Sequence, residues 1–238
     1  MGKIKILYED NHVVVVVKPV GVPVQRDESC DKDMLTMVKE YIKETYNKPG
    51  NVYVGLVHRL DRMVGGVMVF AKTSKAASRL SECIRKKNMN KKYFAIVNGN
   101  IKKGESVFLQ NYLLKDEKLN MSKVVAQDAK GAKLSSLEYS VLNNFKYIEH
   151  EYTLLDVVLI SGRHHQIRVQ LANIGYPLYG DIKYGQNKNK VGQNLGLWSY
   201  YLGFIHPTKD EYLEFKFSPF DITKKDNILV DKIWSVSR

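Results

Sequence analysis

Cysteine is nearly missing from this 238-residue chain: Cys30 and Cys83 are the only two. They form no CxxC pair, which excludes a disulfide framework and a thiolate metal centre and leaves two reduced thiols, as expected of a cytoplasmic protein. No apolar run approaches 18 residues, so no membrane partner is expected. The start Met1-Gly-Lys-Ile-Lys leads into strand-like sequence without a secretory signal. Phosphate-binding glycine loops, dinucleotide motifs and metal-ligand spacings are also lacking, so neither cofactor nor metal is expected. Acidic residues are outnumbered, 25 Asp and Glu against 37 Lys and Arg, a formal net charge of +12. That excess points to a polyanionic partner, with nucleic acid first among them. Neither a composition break nor an internal repeat divides the chain, and its length suffices for a single domain over residues 1–238.

What is present centres on Gly55-Leu-Val-His58-Arg59-Leu60-Asp61-Arg62-Met-Val-Gly65-Gly66. Val52, Val54, Leu56 and Val57 read as a strand entering this stretch and Val67 to Ala71 as a strand leaving it, which puts Asp61 on the connection. Two flanking arginines favour its ionised form, suited to a nucleophile or an electrostatic stabiliser rather than an acid. Taken alone, the same four residues are also what a surface salt bridge looks like.

A second cluster lies about a hundred residues on, Ser161-Gly162-Arg163-His164-His165-Gln166-Ile167-Arg168. A strand over 154–160 runs into Ser-Gly, and a helix with Ile167, Leu171 and Ile174 on one face is expected to end at Gly175. Arg168 falls among apolar neighbours, where an unpaired guanidinium is costly to bury, so it needs a carboxylate; Asp61 is the candidate.

The rest of the chain reads as strands with a few helices. Strands are expected at Ile4–Tyr8 and His12–Val17, the second apolar on both faces and therefore central, followed by a stiff loop through Lys18-Pro19-Val-Gly21-Val-Pro23. Asp33 caps a helix with Leu35, Val38, Ile42 and Tyr46 inward, and Ser74 caps another carrying Ala77, Leu80 and Cys83 or Ile84. The basic run Arg85-Lys86-Lys87 with Lys91-Lys92 is either a solvated helix end or a set of phosphate contacts. The strand over 93–97 offers Tyr93 as a stacking platform. Residues 104–160 read as an antiparallel meander with turns at 115–117, 128–131 and 143–144. The segment Gln186–Gln193 reads as a mobile polar loop, Trp198–His206 with Tyr212–Phe217 as a closing hairpin, and 226–236 as a helix.

Four stretches occur in the order seen in one family. Lys18-Pro19 with Gly21, His58-Arg59-Leu60-Asp61, Lys92-Tyr93 with Ala95 and Val97, and Gly162-Arg163-x-His165-Gln166-Ile167-Arg168 together resemble the RluA family of RNA pseudouridine synthases over roughly residues 12–217. The chain departs from the family after the aspartate, where Val64-Gly65-Gly66 stands in place of the usual Thr-Ser-Gly. The resemblance implies an α+β fold, a mixed, largely antiparallel curved sheet with flanking helices and a central cleft, and a catalytic domain lacking the family's S4-type RNA-binding appendage. It implies isomerisation of uridine in ribosomal or transfer RNA with Asp61 as the essential carboxylate, Arg168 pairing with it, Tyr93 stacking on the flipped uracil and Arg59 filling the vacated stack. Further RNA contacts are expected from Lys18, His58, Arg62, Lys92, Arg163 and His165, and the chain is expected to act as a monomer. The two histidines can equally orient their loops by hydrogen bonds. A non-catalytic RNA-binding module would share the charge and the tyrosines, but would not need a carboxylate beside Arg59; a glycoside hydrolase would want a second acid, for which the motifs offer only Asp181.

Overall fold

The structure is a computed structural model and describes residues 4–185, 187–220 and Ile233. In chain order the elements are β1 (Lys5–Glu9), β2 (Val13–Lys18), α1 (Met34–Thr45), β3 (Gly55–Leu56), β4 (Gly65–Ala71), α2 (Ser74–Arg85) and β5 (Asn90–Asn98). There follow β6 (Val107–Asp116), β7 (Met121–Val125), β8 (Lys133–Tyr147), β9 (His150–Leu159), α3 (Gln166–Asn173), β10 (Leu197–Ile205) and β11 (Tyr212–Lys216). This is the α+β, largely antiparallel class expected. The helix expected over 226–236 lies outside the described residues.

Contacts divide the chain into two compact units. One comprises the described residues of Met1–Asn90 with Ser199–Pro219, the other those of Lys91–Trp198 with those of Phe220–Ser235. Each unit is thus completed by a segment remote in sequence, which is why no break in composition marks a boundary.

In the first unit the strands run β1-β2-β4-β10, with β3 on β4 and β11 on β10. The β1–β2, β2–β4, β3–β4 and β10–β11 pairs are antiparallel. β2 is buried along its whole length, as a strand apolar on both faces must be. Val13, Val15, Val67, Val69, Leu202 and Phe204 form the core with Ala76 and Leu80 of α2. The carboxylate of Asp33 caps α1 through the amide of Thr36 at 3.0 Å. The face α1 buries is Met34, Val38 and Ile42; Leu35 is only half-buried, and Tyr46, expected inward, lies exposed just past the last turn. α2 is capped by Thr73 rather than Ser74, through the amide of Ala76. The first expected strand of the Asp61 region shrinks to the two residues of β3.

In the second unit the order is β5-β9-β8-β6-β7. The expected meander is therefore corrected: β6 and β7 form a hairpin, but β8 returns to the far side of β6 before pairing with β9. Asn143 and Asn144 make no turn either. They sit inside β8 beside a bulge, with Asn144 bonded to Ile101 O and Thr153 Oγ1. The turn is at 148–149, where Ile148 adopts positive φ. α3 ends as expected: Gly175 takes φ +87°, and Tyr176 N–H donates to Leu171 O at 3.0 Å. Of the loop expected over Gln186–Gln193, the described residues 187–193 are fastened at Asn189, which donates to Leu178 O and Asp181 O and accepts from Gly180 N–H.

Candidate active site

Asp61 lies on the β3–β4 connection, as expected, in a loop whose backbone is fixed from several directions. Leu60 and Val64 on either side are buried, anchoring the loop by apolar contact. The amide of Val64 donates to Asp61 O at 3.0 Å, closing a tight turn by main chain alone, so the departure from Thr-Ser leaves the turn with its own closure. The glycine after the departure, which the family pattern shares, is obligatory. Gly66 has φ +127°, and a Cβ there would lie 2.1 Å from the carbonyl oxygen of Ser199 on β10. The Asp61 side chain itself is half-exposed.

Beneath this loop lies Lys18, expected to contact RNA but fully buried instead. At the end of β2, opposite Gly66, it donates its ammonium to Pro19 O and Arg62 O at 2.9 Å each. Burial pulls its pKa down to about 7, against the opposing pull of the Asp61 charge. Gly21 N–H also donates to Arg62 O, at 2.9 Å. The two family stretches of this unit, 18–21 and 58–62, are thus one built piece, and Lys18 is its fastener rather than an RNA contact.

The two arginines beside Asp61 differ. Arg62 reaches into the 21–31 loop: Nε donates to Gly21 O at 3.0 Å, Nη1 donates to Ser29 Oγ at 2.8 Å and lies 3.6 Å from Asp27 Oδ2, and Nη2 pairs with Asp31. Its expected contact with RNA would have to compete with these two exposed carboxylates. Arg59 is exposed and makes no hydrogen bond or ion pair among the described residues. His58 Nε2 accepts the amide of Val69 at 3.1 Å. β3 reaches only Phe70 and Ala71 along β4, so the imidazole supplies the partner that a longer strand would have given Val69. This contact is of the loop-orienting kind that the sequence also allowed.

The second unit holds the other residues expected at the site. Tyr93 stands on β5, paired with Val157 of β9, and is 6% exposed; Lys92 precedes it, half-buried. Gly162 and Arg163 are exposed at the β9–α3 turn. The Arg163 amide donates to Gln166 Oε1 at 3.0 Å, and its side chain reaches Leu134 O at 3.5 Å.

Arg168 is buried in α3 and carries the carboxylate that its burial demands, but that carboxylate is Asp181. Nε donates to Oδ2 at 2.7 Å and Nη2 to Oδ1 at 2.8 Å, a two-point contact with a side chain that has no exposed surface. Removing one partner of such a pair costs about 3–5 kcal/mol. The pairing of Arg168 with Asp61 joins residues of different units and remains a proposal.

His165 opens α3 in the left-handed region, φ +53°, and stacks on His164 with ring centroids 3.8 Å apart. Its Nδ1 bonds the hydroxyl of Tyr184 at 2.9 Å. Burial, and then the Arg168 charge, hold its pKa down to about 3, so it is neutral at physiological pH.

Gln166 Nε2 donates to Ser136 O and Gln170 Oε1 at 3.0 Å each, while its Oε1 accepts from Ser161 Oγ and Arg163 N–H. Gln170 passes the chain on to Asn111. Sequence reasoning gave no role to Gln166 or Gln170, because amides carry no pattern. Asp181 left a usable signal: between Asp156 and Asp210 it is the only acidic residue.

The sequence pattern described as RNA pseudouridylate synthase matches residues 12–173. The chain belongs to this family. It is an RNA pseudouridine synthase of the RluA type, an isomerase. It is 35% identical over 225 residues to an uncharacterized RNA pseudouridine synthase of Aquifex aeolicus, covering 90% of this chain and 68% of that one. It is 33% identical over 229 residues to the ribosomal large subunit pseudouridine synthase C of Buchnera aphidicola from Acyrthosiphon pisum, covering 92% and 68%. It is 32% identical over 230 residues to the tRNA pseudouridine synthase C of Vibrio parahaemolyticus, covering 91% and 90%. Among solved structures, human RNA Pseudouridylate Synthase Domain Containing 4 has the same fold, with a TM-score of 0.73 at 23% identity over 90% of this chain and 88% of that one. Among the described residues no helix is long and apolar enough to cross a membrane, and no three His, Cys, Asp or Glu side chains are placed to hold a metal.

Proposed function

We propose that this enzyme converts uridine to pseudouridine in ribosomal or transfer RNA, as a cytoplasmic monomer, with Asp61 as the carboxylate that engages the nucleotide. The reaction breaks the bond from ribose C1′ to uracil N1 and makes one to C5; the ring loses its C5 proton and gains one at N1, with nothing added or released overall. A carboxylate could attack C1′, take a proton from C2′ or add to the ring, and each route needs the group ionised and held still. The observation that carries the reading is the β3–β4 connection, whose backbone is fixed by Lys18, Val64 and Gly21 while the Asp61 side chain stays half-exposed beside the open guanidinium of Arg59.

In this reading Arg168 pairs with Asp61 and orients it, and Tyr93 stacks on the uracil once the nucleotide has swung out. Arg59 enters the gap, where a planar guanidinium can stack and bond at once. Lys92 and Arg163 meet RNA phosphates, each neutralised phosphate adding about 0.7 to the salt slope of single-strand binding. Tritium release from total RNA labelled at C5 of uridine tests the assignment. Asp61→Asn is expected to lower release by about 1,000-fold or more while still binding the RNA, because it removes an interaction made in the chemical step. Release by that variant at the normal rate would remove Asp61 from the mechanism.

A further inference from the structure

The guanidinium of Arg168 is gripped on two sides. Asp181 takes its Nε–Nη2 edge, and the ring of Tyr184 lies 5.2 Å from Cζ. Tyr184 is itself held at both ends. Its amide donates to Asp181 Oδ1 at 3.2 Å, and its hydroxyl accepts the amide of Ser122, on β7, at 2.7 Å. The same hydroxyl shares a hydrogen bond with Nδ1 of His165 at 2.9 Å. Asp181 is held in turn, since Asn189 bonds its carbonyl at 3.0 Å. A carboxylate serving only to neutralise a buried arginine needs no such support. Here the edge contact fixes the guanidinium plane, and the ring against it blocks tilting.

We propose that Asp181 and Tyr184 are positioning residues for the isomerisation: they set the plane and direction of the Arg168 guanidinium, and reach the chemistry only through it. This rests on the reading that Arg168 serves Asp61. The requirement is physical, because a displacement of about 1 Å in a group that orients a reacting atom can cost about 100-fold in rate.

The test is single-turnover tritium release from total RNA labelled at C5 of uridine, with the enzyme in excess, beside filter binding of the same RNA and the melting midpoint of each variant. Asp181→Asn is expected to slow release about 100-fold with RNA affinity nearly unchanged, and Tyr184→Phe, which keeps the ring and loses the hydroxyl bonds, about tenfold. Arg168→Gln is expected to slow release at least as much as Asp181→Asn, and adding Asp181→Asn to it should change the rate by less than about threefold, since groups acting as one unit are not additive. If Asp181→Asn leaves the rate unchanged, or slows the normal and Arg168→Gln enzymes by the same factor, Asp181 does not act through Arg168 and the proposal falls alone. If Arg168→Gln releases tritium at the normal rate, the reading of Arg168 falls first. Should Arg168→Gln not fold, Tyr184→Phe decides: a slower rate well below its melting midpoint supports positioning, and a lowered midpoint with a normal rate overturns it.

Discussion

The loop that carries Asp61 and the helix that carries Arg168 are both rigid, by different means. The Asp61 loop is held through main-chain atoms: carbonyls of Pro19 and Arg62 facing one buried ammonium, an i to i+3 turn closed by Val64, and a glycine against the backbone of Ser199. The Arg168 helix is held through side chains, bonded to one another from Gln170 through Gln166 to Ser161, and from the Asp181 carboxylate through the amide and hydroxyl of Tyr184 to His165. The first device tolerates changes in neighbouring side chains, which is how Val64-Gly65 can replace Thr-Ser. The second demands particular residues at several places at once, because a half-satisfied buried network is worse than none.

Four substitutions probe that contrast. The largest effect is expected at Gly66→Ala. The new methyl would collide with the Ser199 carbonyl in a backbone region that alanine avoids, a loss of about 3–5 kcal/mol in a urea titration. A loss under 1 kcal/mol would show that the loop is less tightly fixed than the contacts imply. Next is Gln166→Ala, which strips Ser136, Gln170, Ser161 and Arg163 of a partner at once; about 2–3 kcal/mol should go, and a near-neutral result would break the picture of an interdependent network.

The third concerns Lys18 and pH. Its folded pKa of about 7 lies below the unfolded value of about 10.4, so above pH 7 the unfolded chain binds the extra proton and stability rises with pH. Between pH 7 and 9 the rise should be at most about 1.4 kcal/mol per unit, and Lys18→Met should flatten it. An unchanged slope in the variant would mean that Lys18 is not the group responsible. The smallest effect is expected at Arg62→Ala, a loss of under about 1 kcal/mol for an exposed ion pair, with RNA affinity nearly intact. A large drop in affinity would show that Arg62 contacts RNA as well as these carboxylates.

The elements were legible wherever a periodic signal existed. The apolar run of β2, the Asp33 cap of α1, the Gly175 end of α3 and the hairpin of β10 and β11 follow from local chemistry. Reading failed where two local signals competed or where pairing was non-local. Thr73 and Ser74 are equally good caps by composition, and the backbone chose Thr73. Asn143-Asn144 has turn chemistry, yet cross-strand pairing with β9 and the bond to Ile101 absorbed it into β8. The side on which β8 returns to β6 has no sequence signature, since either neighbour would satisfy the same alternation.

Among the residues expected at the site, Asp61, Tyr93 and Arg168 were proposed from motif and environment, whereas the surroundings of Lys18 and Arg62 were not legible. A lysine in a loop of a basic protein reads as a phosphate contact until the fold shows that its ammonium faces carbonyls. The need of Arg168 for a carboxylate was a correct deduction from burial cost; the contact to Asp181 became visible only when the chain had turned back over thirteen residues.

From residue order alone came the chemistry on offer: a carboxylate between cations, a buried arginine that must be paired, a basic surface without a metal or nucleotide motif, and the family these belong to. Those are properties of local pattern and charge, which folding does not alter. Tertiary structure decided which cations are spent on the protein itself, Lys18 on carbonyls and Arg62 on carboxylates, while Arg59 beside them makes no such bond among the described residues. It decided this because a charge is used up by whatever lies within about 3 Å of it, and that distance is set by segments far apart in the chain.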